Sequence, residues 1–248
     1  MEQYSMAGGG YVYHFDTGPF NWYLIAQSGR LTIVDAGFPG HYPILVKGIN
    51  ALGFQIKDIA AILLTHAHAD HMGFAEKVRK ATNAPVFVHR DDYKASQRRL
   101  QLPWFGLLSN AWHPYVMQML SHAALNGIFT MPAIAKVTTI EDGQILDVPG
   151  KPHVIHAPGH TTGEVAFFLP ESGILLSGDT LITRHLLTGT HGQPQVAPAI
   201  LTYAYEAAYR SLDRIIDLGT VTLLPGHGKA WQGNMRDAVG EARQGQQA

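Results

Sequence analysis

The chain has 248 residues, with 18 Lys and Arg against 19 Asp and Glu and a formal net charge of −1, so its charge does not argue for a nucleic acid or any other polyanionic partner. Hydrophobic residues make up 46% and charged residues 15%, the balance of a folded globular protein rather than a disordered one. There are no cysteines, which excludes disulfides, thiolate zinc sites and cysteine nucleophiles and fits a reducing, cytoplasmic compartment.

Met1 to Gly10 reads as a flexible lead-in without the basic and apolar regions of a signal peptide, and no apolar run is long enough to span a bilayer. Short apolar or β-branched runs at Tyr11–Phe15, Phe20–Ala26 and Leu31–Val34, broken by Gly18-Pro19 and Ser28-Gly29, predict strands. A helix is expected after Pro39, with Ile44, Leu45, Ile49 and Leu52 on one face. Ala60–Leu64 predicts a buried strand, His71–Ala81 a helix and Pro85–His89 another strand. Arg98-Arg99 is a basic pair of the kind that usually lies on a solvated helix face. From Asp91 to Ala135 the pattern turns helical, with breaks at Pro103 and Pro114. Strands then resume at Lys136–Ile140, Ile145–Val148, His153–His156, Val165–Leu169 and Ile174–Leu176. A helix over Ala204–Leu218, a strand over Val221–Leu224 and a helix over Met235–Arg243 complete the chain. There is no internal repeat or low-complexity linker, and 1–248 reads as one domain with two sheets face to face and helices outside.

The histidines carry the chemical signal. There are 14 of them, a number that composition alone does not interpret. Thr65-His66-Ala67-His68-Ala69-Asp70-His71 follows a buried strand directly. Residues two apart in extended chain point the same way, so His66 and His68 can reach one metal, while Asp70 and His71 aim at a second point nearby. His160 follows the tight turn Pro158-Gly159. Asp179 follows the strand Ile174–Leu176 in Ser177-Gly178-Asp179, and His227 follows Val221–Leu224 in Pro225-Gly226-His227. Loops at strand ends on a rigid scaffold are where sites are built.

This ordered set, running from Ile33-Val34-Asp35-Ala36-Gly37 to His227, resembles the metallo-β-lactamase superfamily, and in its complete ligand set the glyoxalase II and acyl-homoserine lactonase branches. The resemblance implies an α/β, four-layer αβ/βα sandwich with the site at one edge and the segment at about 91–135 as a helical insertion. It implies that His66, His68 and His160 hold one metal, that Asp70, His71 and His227 hold the other, and that Asp179 bridges the two.

Imidazole and carboxylate donors without thiolate suit two Zn2+ ions, with Mn2+ or Fe2+ as alternatives. Water held between two such ions is expected to ionise near neutral pH. Asp70 is the candidate catalytic residue, orienting that nucleophile and taking its proton. Asp35 is the candidate acceptor for a ligating histidine, with capping of the next turn as its alternative, and Thr65 and Thr161 are weaker candidates. His156 reads equally as a satisfied strand histidine.

The expected function is a dinuclear metal-dependent hydrolase acting on an ester, lactone or thioester-type small molecule. β-Lactam hydrolysis and a mono-iron persulfide dioxygenase-like reaction are the alternatives. Trp104 and Phe105, at a break between helices, are expected to overhang the metals, with Ile182 and His185 also lining the pocket. Ile182 stands where the lactonase branch carries a tyrosine. The apolar content of the insertion must be buried against the domain, a substrate or a second subunit, so the expected partners are a small-molecule substrate and a homodimer mate, with no nucleic acid and no membrane.

Overall fold

A computed structural model describes residues 1–98 and 100–245. Arg99 of the basic pair lies outside the described residues. In chain order the elements are β1 (Glu2–Ser5), β2 (Tyr11–Asp16), β3 (Asn21–Gln27), β4 (Arg30–Val34), α1 (Tyr42–Ala51), β5 (Ile59–Leu63), α2 (Ala69–Met72), α3 (Ala75–Thr82) and β6 (Val86–His89). The insertion carries α4 (Tyr93–Ser96), α5 (Trp104–Ser109) and α6 (Pro114–Leu125), after which come β7 (Thr138–Ile140), β8 (His153–His156), β9 (Val165–Leu169), β10 (Ile174–Gly178), β11 (Ile182–Arg184) and β12 (His191–Gln195). The last elements are α7 (Tyr205–Ser211), β13 (Thr220–Pro225), β14 (Trp231–Asn234) and α8 (Met235–Gln244).

The first sheet has the sequential order β1-β2-β3-β4-β5-β6-β7, and the second the order β14-β13-β10-β9-β8. Tight turns keep β1 to β4 antiparallel, whereas β4 to β7 are parallel. Parallel neighbours need a crossover of helical length, and the segments between β4 and β7 supply one each time. β11 and β12 form a separate hairpin.

The period-two alternation of strands sorts side chains into layers. On β3, Tyr23 and Ile25 point into the core between the sheets, where they share a cluster with Val34, Leu63, Phe167 and Leu176. Trp22 and Leu24 point the other way, onto Leu45, Ile49 and Val78 of the helices. In the second sheet Phe167, Leu176 and Leu224 face inward, while Ala166, Leu175 and Leu223 pack on Ala208, Tyr209 and Val239 of α7 and α8. The result is the four-layer αβ/βα sandwich, with the insertion lying over the outer face of the first sheet through Tyr115, Val116 and Met119.

Several local expectations are corrected. The N-terminal segment contains the edge strand β1, paired from Glu2↔His14 to Ser5↔Tyr11, because β2 offers it an unpaired edge. Ile145–Val148 forms only a single bridge, Ile145↔His153, because Gly150 and its neighbours turn the chain at once. The helix expected over Ala204–Leu218 is α7 followed by a 3-10 turn at Leu212–Arg214. β11, β12 and β14 stand outside the sequence-based expectation. They are short, and β12 and β14 are mostly polar, so they lack an apolar period-two signal although each pairs with a neighbour in the chain, β11 with β12 and β13 with β14. On α1 it is Leu45 and Ile49 that are buried, while Ile44 is exposed and Leu52 packs at the margin. Among the described residues no helix is long and apolar enough to cross a membrane.

Candidate metal centre

Four chain segments converge at one edge of the sandwich. The first follows β5 and carries His66, His68, Asp70 and His71; the others follow β8, β10 and β13 and carry His160, Asp179 and His227. The last three come from the second sheet, so the cluster spans both sheets. The segments are tied to one another by main-chain bonds. Val165 N donates to the Thr65 carbonyl at 2.8 Å, Gly226 N to the Gly178 carbonyl at 2.8 Å, and Asn21 N to the Gly226 carbonyl at 2.9 Å. Glycine is required beside the ligands. A Cβ on Gly226 would lie 2.3 Å from Asp179 Oδ1 and 2.8 Å from His71 Cε1. Gly178 has φ +53°, and a Cβ there would meet Thr65 and Glu164 at 2.6 Å.

The donor atoms fall into overlapping groups. His66, His68 and His160 offer atoms within 4.8 Å of one another, and so do the sets His66, His71, Asp179 and Asp70, His71, His227. His68 presents Nδ1, which is 3.0 Å from His66 Nε2 and 2.9 Å from His160 Nε2. Ligand atoms on one tetrahedral zinc stand about 3.3 Å apart, from metal–nitrogen bonds of about 2.05 Å. Asp179 reaches both groups, with Oδ2 at 3.4 Å from His160 Nε2 and 3.2 Å from His227 Nε2, and Oδ1 at 3.7 Å from His71 Nε2. Asp70 Oδ2 is 3.5 Å from His227 Nε2 and 3.6 Å from His71 Nε2.

The far nitrogens of three of the histidines are held from behind. His71 Nδ1 donates to Asp35 Oδ2 at 2.8 Å, and Asp35 Oδ1 accepts from Thr65 N at 2.9 Å. His227 Nδ1 donates to the Pro19 carbonyl at 2.8 Å. His66 Nδ1 lies 3.2 Å from Glu164 Oε2 and 3.1 Å from Thr65 Oγ1. Each contact fixes a tautomer whose other nitrogen turns a lone pair inward. Burial and the neighbouring imidazoles hold His66 well below its ordinary pKa, and lower His68 to about 3 and His160 to about 4. All three are therefore neutral, as ligands must be. At His71 and His227 burial works against the charged form, but Asp35, Asp70 and Asp179 outweigh it at His71, and Asp179 and Asp70 at His227, and both are raised.

The residues fit a metal. His71 Nε2, Asp179 Oδ1 and His160 Nδ1 are buried without a hydrogen-bond partner, and a buried polar atom left unsatisfied costs about 1–3 kcal/mol. A cation between the two ligand groups would satisfy the first two and would compete with protons for His71 and His227.

Two buried acids near the centre lie beyond the sequence-based candidates. Glu164 accepts from Asp179 N at 3.0 Å as well as facing His66; burial and Asp179 raise its pKa well above the ordinary range. Its signal in the sequence is a lone acid heading the apolar strand β9. Asp92 accepts from Ala67 N, Thr161 Oγ1 and Gly163 N, each at 2.9 Å, joining the first ligand loop to the His160 loop. Nothing in the local pattern Asp91-Asp92 marks it. Thr161 therefore serves Asp92 rather than a histidine. His156 stacks on His89, with ring centroids 3.8 Å apart, and reaches the Thr162 carbonyl, the satisfied reading.

A pocket of about 500 Å3, including its open mouth, lies over the cluster and is lined by His68, Asp70, His160, Asp179 and His227 on its floor. Its walls are Phe20, Phe38, Leu186 and Leu201 with Leu102, Pro103, Leu107, Met119, Leu120 and Ala123 from the insertion. The four side chains expected there are elsewhere. Trp104 turns inward onto the core, with Nε1 donating to the Leu100 carbonyl, and Phe105 is 81% exposed. Both sit in α5 rather than at a loop tip, and the buried face of α5 belongs to Gly106 and Leu107. Ile182 is fully buried on β11, and His185 caps its own turn by accepting from Leu187 N and Thr188 N.

Paired imidazole–carboxylate groups at the edge of an αβ/βα sandwich define a metallo-hydrolase type of centre. The chain belongs to the metallo-β-lactamase superfamily, whose family model matches residues 16–227. It is 26% identical over 222 residues to the probable metallo-hydrolase YflN of Bacillus subtilis (strain 168), covering 83% of this chain and 78% of YflN. The metallo-beta-lactamase family protein TTHA1429 of Thermus thermophilus matches with a TM-score of 0.69 and 25% identity, over 95% of this chain and 79% of its own. TTHA1623, solved in a di-iron-bound form, matches with a TM-score of 0.59 and 27% identity over 89% of this chain and 94% of its own.

Proposed function

We propose that this protein is a dinuclear, zinc-dependent hydrolase of uncharged small-molecule esters, lactones or thioesters. One observation carries the reading: two groups of metal-type donors share the floor of a single apolar pocket whose lining contains no lysine or arginine. The insertion that supplies much of the wall holds no Asp, Glu, Lys or Arg from Leu100 to Ala135. A β-lactam carries a carboxylate, and that lining offers it no lysine or arginine. His66, His68 and His160 would hold one ion, Asp70, His71 and His227 the other, with Asp179 between them. The donor set favours zinc, with iron as the alternative.

Bound there, such ions supply Lewis acidity towards a carbonyl and acidify water. The chain supplies the rest. The apolar wall excludes bulk water and holds the acyl group against the floor. Asp70, on the floor beside His71 and His227, accepts the proton of the attacking water and returns it to the leaving oxygen or sulfur.

Elemental analysis of protein purified without chelator should find more than one equivalent of metal per chain. Asp70→Asn should lower kcat on a cleaved ester or thioester about a hundredfold or more while circular dichroism stays that of the parent. One equivalent of metal, or parent-like turnover by Asp70→Asn, overturns the reading.

A further inference from the structure

Two cavities open onto the centre, and they meet at His68, Leu102, Pro103, His160 and Leu201. One, the more closed of the two, is the apolar pocket walled by Phe38, Leu107, Met119, Leu120 and Ala123. The other runs out between 101–103 and 200–203 and adds Gln101, Ile200, Thr202 and Tyr203. Tyr203 is 78% exposed, so this second arm opens to solvent.

Both walls of the open arm are fixed to the ligand loops by main-chain bonds. The Gln101 carbonyl accepts from Ala69 N at 2.9 Å, between His68 and Asp70, and Tyr203 N donates to the His160 carbonyl at 3.1 Å. Ala204 N donates to the Gly159 carbonyl at 2.9 Å. The arm is therefore held in register with His68 and His160. The two arms also touch different ligands. The closed arm reaches Asp70, Asp179 and His227 as well, whereas His68 and His160 are the ligands that the open arm reaches.

We infer that the substrate is a two-part, uncharged ester or thioester, with an apolar acyl half in the closed arm and a polar alcohol or thiol half in the open arm, positioned by Tyr203. This rests on the hydrolase reading above. In the reaction the hydroxyl of water adds to the acyl carbon, the acyl C–O or C–S bond breaks, and the departing oxygen or sulfur takes the remaining proton. Charge builds on that departing atom and calls for polar company. The closed arm's walls away from the ligands are hydrocarbon, whereas the open arm carries the exposed Tyr203 phenol beside the Thr202 hydroxyl, which donates to the Ala197 and Pro198 carbonyls. The leaving half therefore belongs in the open arm, from which it also escapes to solvent.

The test uses the metal-loaded protein and two thioester series. One runs from acetyl to octanoyl on 2-mercaptoethanol; the other holds the acetyl group and lengthens an alkyl thiol. In the first, kcat/KM should rise about fourfold for each methylene buried, until the arm is full; in the second it should stay flat. Met119→Trp, which fills the closed arm, should lower the octanoyl-to-acetyl ratio about tenfold or more, and should abolish calorimetric binding of the inert ketone 2-nonanone that the parent shows. Tyr203→Phe should lower kcat/KM for the mercaptoethanol series with the octanoyl-to-acetyl ratio unchanged. A rise in the second series, or no chain-length dependence in either while acetyl thioesters are cleaved, overturns the inference and leaves the hydrolase reading standing. No cleavage in either series, with 2-nonanone still bound, overturns the hydrolase reading and this inference with it.

Discussion

Asp35 shows how much the centre asks of a single residue. Its φ of +62° lies in the left-handed region, which costs energy for a residue with a Cβ and persists where the surroundings require it. That conformation brings one carboxylate oxygen to His71 Nδ1 and the other to Thr65 N. The sequence marks Asp35 as a candidate, because ligating histidines need acceptors and this acid ends a strand ahead of Ala36-Gly37, but turn capping is an equal reading until the fold places His71 against it. Asn tolerates the left-handed region and has the same shape, so Asp35→Asn should fold. It removes the charge that keeps His71 a strong ligand. The affinity of the more weakly held metal should fall about 10- to 100-fold, measured by competition with a chromophoric chelator. Parent-like affinity in both steps would mean that Asp35 serves only the turn.

At the scale of elements, the ligand loops are rigid because a buried acid ties them together. Asp92, in the turn after β6, serves four donors from two loops, and those loops carry His68 and His160. Replacing it with alanine strands these donors in a buried place. Asp92→Ala should cost about 2–4 kcal/mol in urea denaturation and should also weaken metal retention, because His68 and His160 lose their common anchor. A variant within about 0.5 kcal/mol of the parent, which is the usual range of a surface change, would show that water substitutes for the carboxylate. The same scale explains the misplaced aromatics. Pro103 does break the chain, but the six residues after it form α5, and helical geometry sends Leu107 to the pocket while Phe105 faces solvent. A one-dimensional pattern marks the insertion as apolar without saying which side of each short helix meets the body.

For the molecule as a whole, the centre is a clamp between two sheets. His66, His68, Asp70 and His71 belong to the first sheet's edge, and His160, Asp179 and His227 to the second's. Metal binding to the folded state alone stabilises it by mass action, and here it also satisfies buried atoms that otherwise lack partners. Treatment with a strong chelator should lower the calorimetric Tm by roughly 10 °C, and restoring zinc should recover it. Because the surrounding carboxylates raise the affinity of His71 and His227 for protons, protons compete with metal for both, and apparent affinity should fall as pH is lowered. A Tm that ignores the chelator while the metal is shown to leave would mean that the sheets need no clamp.

The architecture and the donor set are legible in the order of the amino acids alone. Period-two runs bounded by Gly and Pro place most of the strands, and His66-Ala67-His68-Ala69-Asp70-His71 can be read because ligand spacing within one loop is a local property. His160, Asp179 and His227 can be read too, each framed by glycine in the loop that follows a strand. Everything that depends on distant segments meeting emerges only in the folded chain. Glu164 behind His66, Asp92 between two loops and the Pro19 carbonyl behind His227 carry no local signature, because each partner is set by the packing of one sheet on the other. The walls of the two arms belong to the same class. Which of many apolar residues face the metals follows from the roll of α5 and α6 on the first sheet, and that is set by contacts summed over the whole insertion.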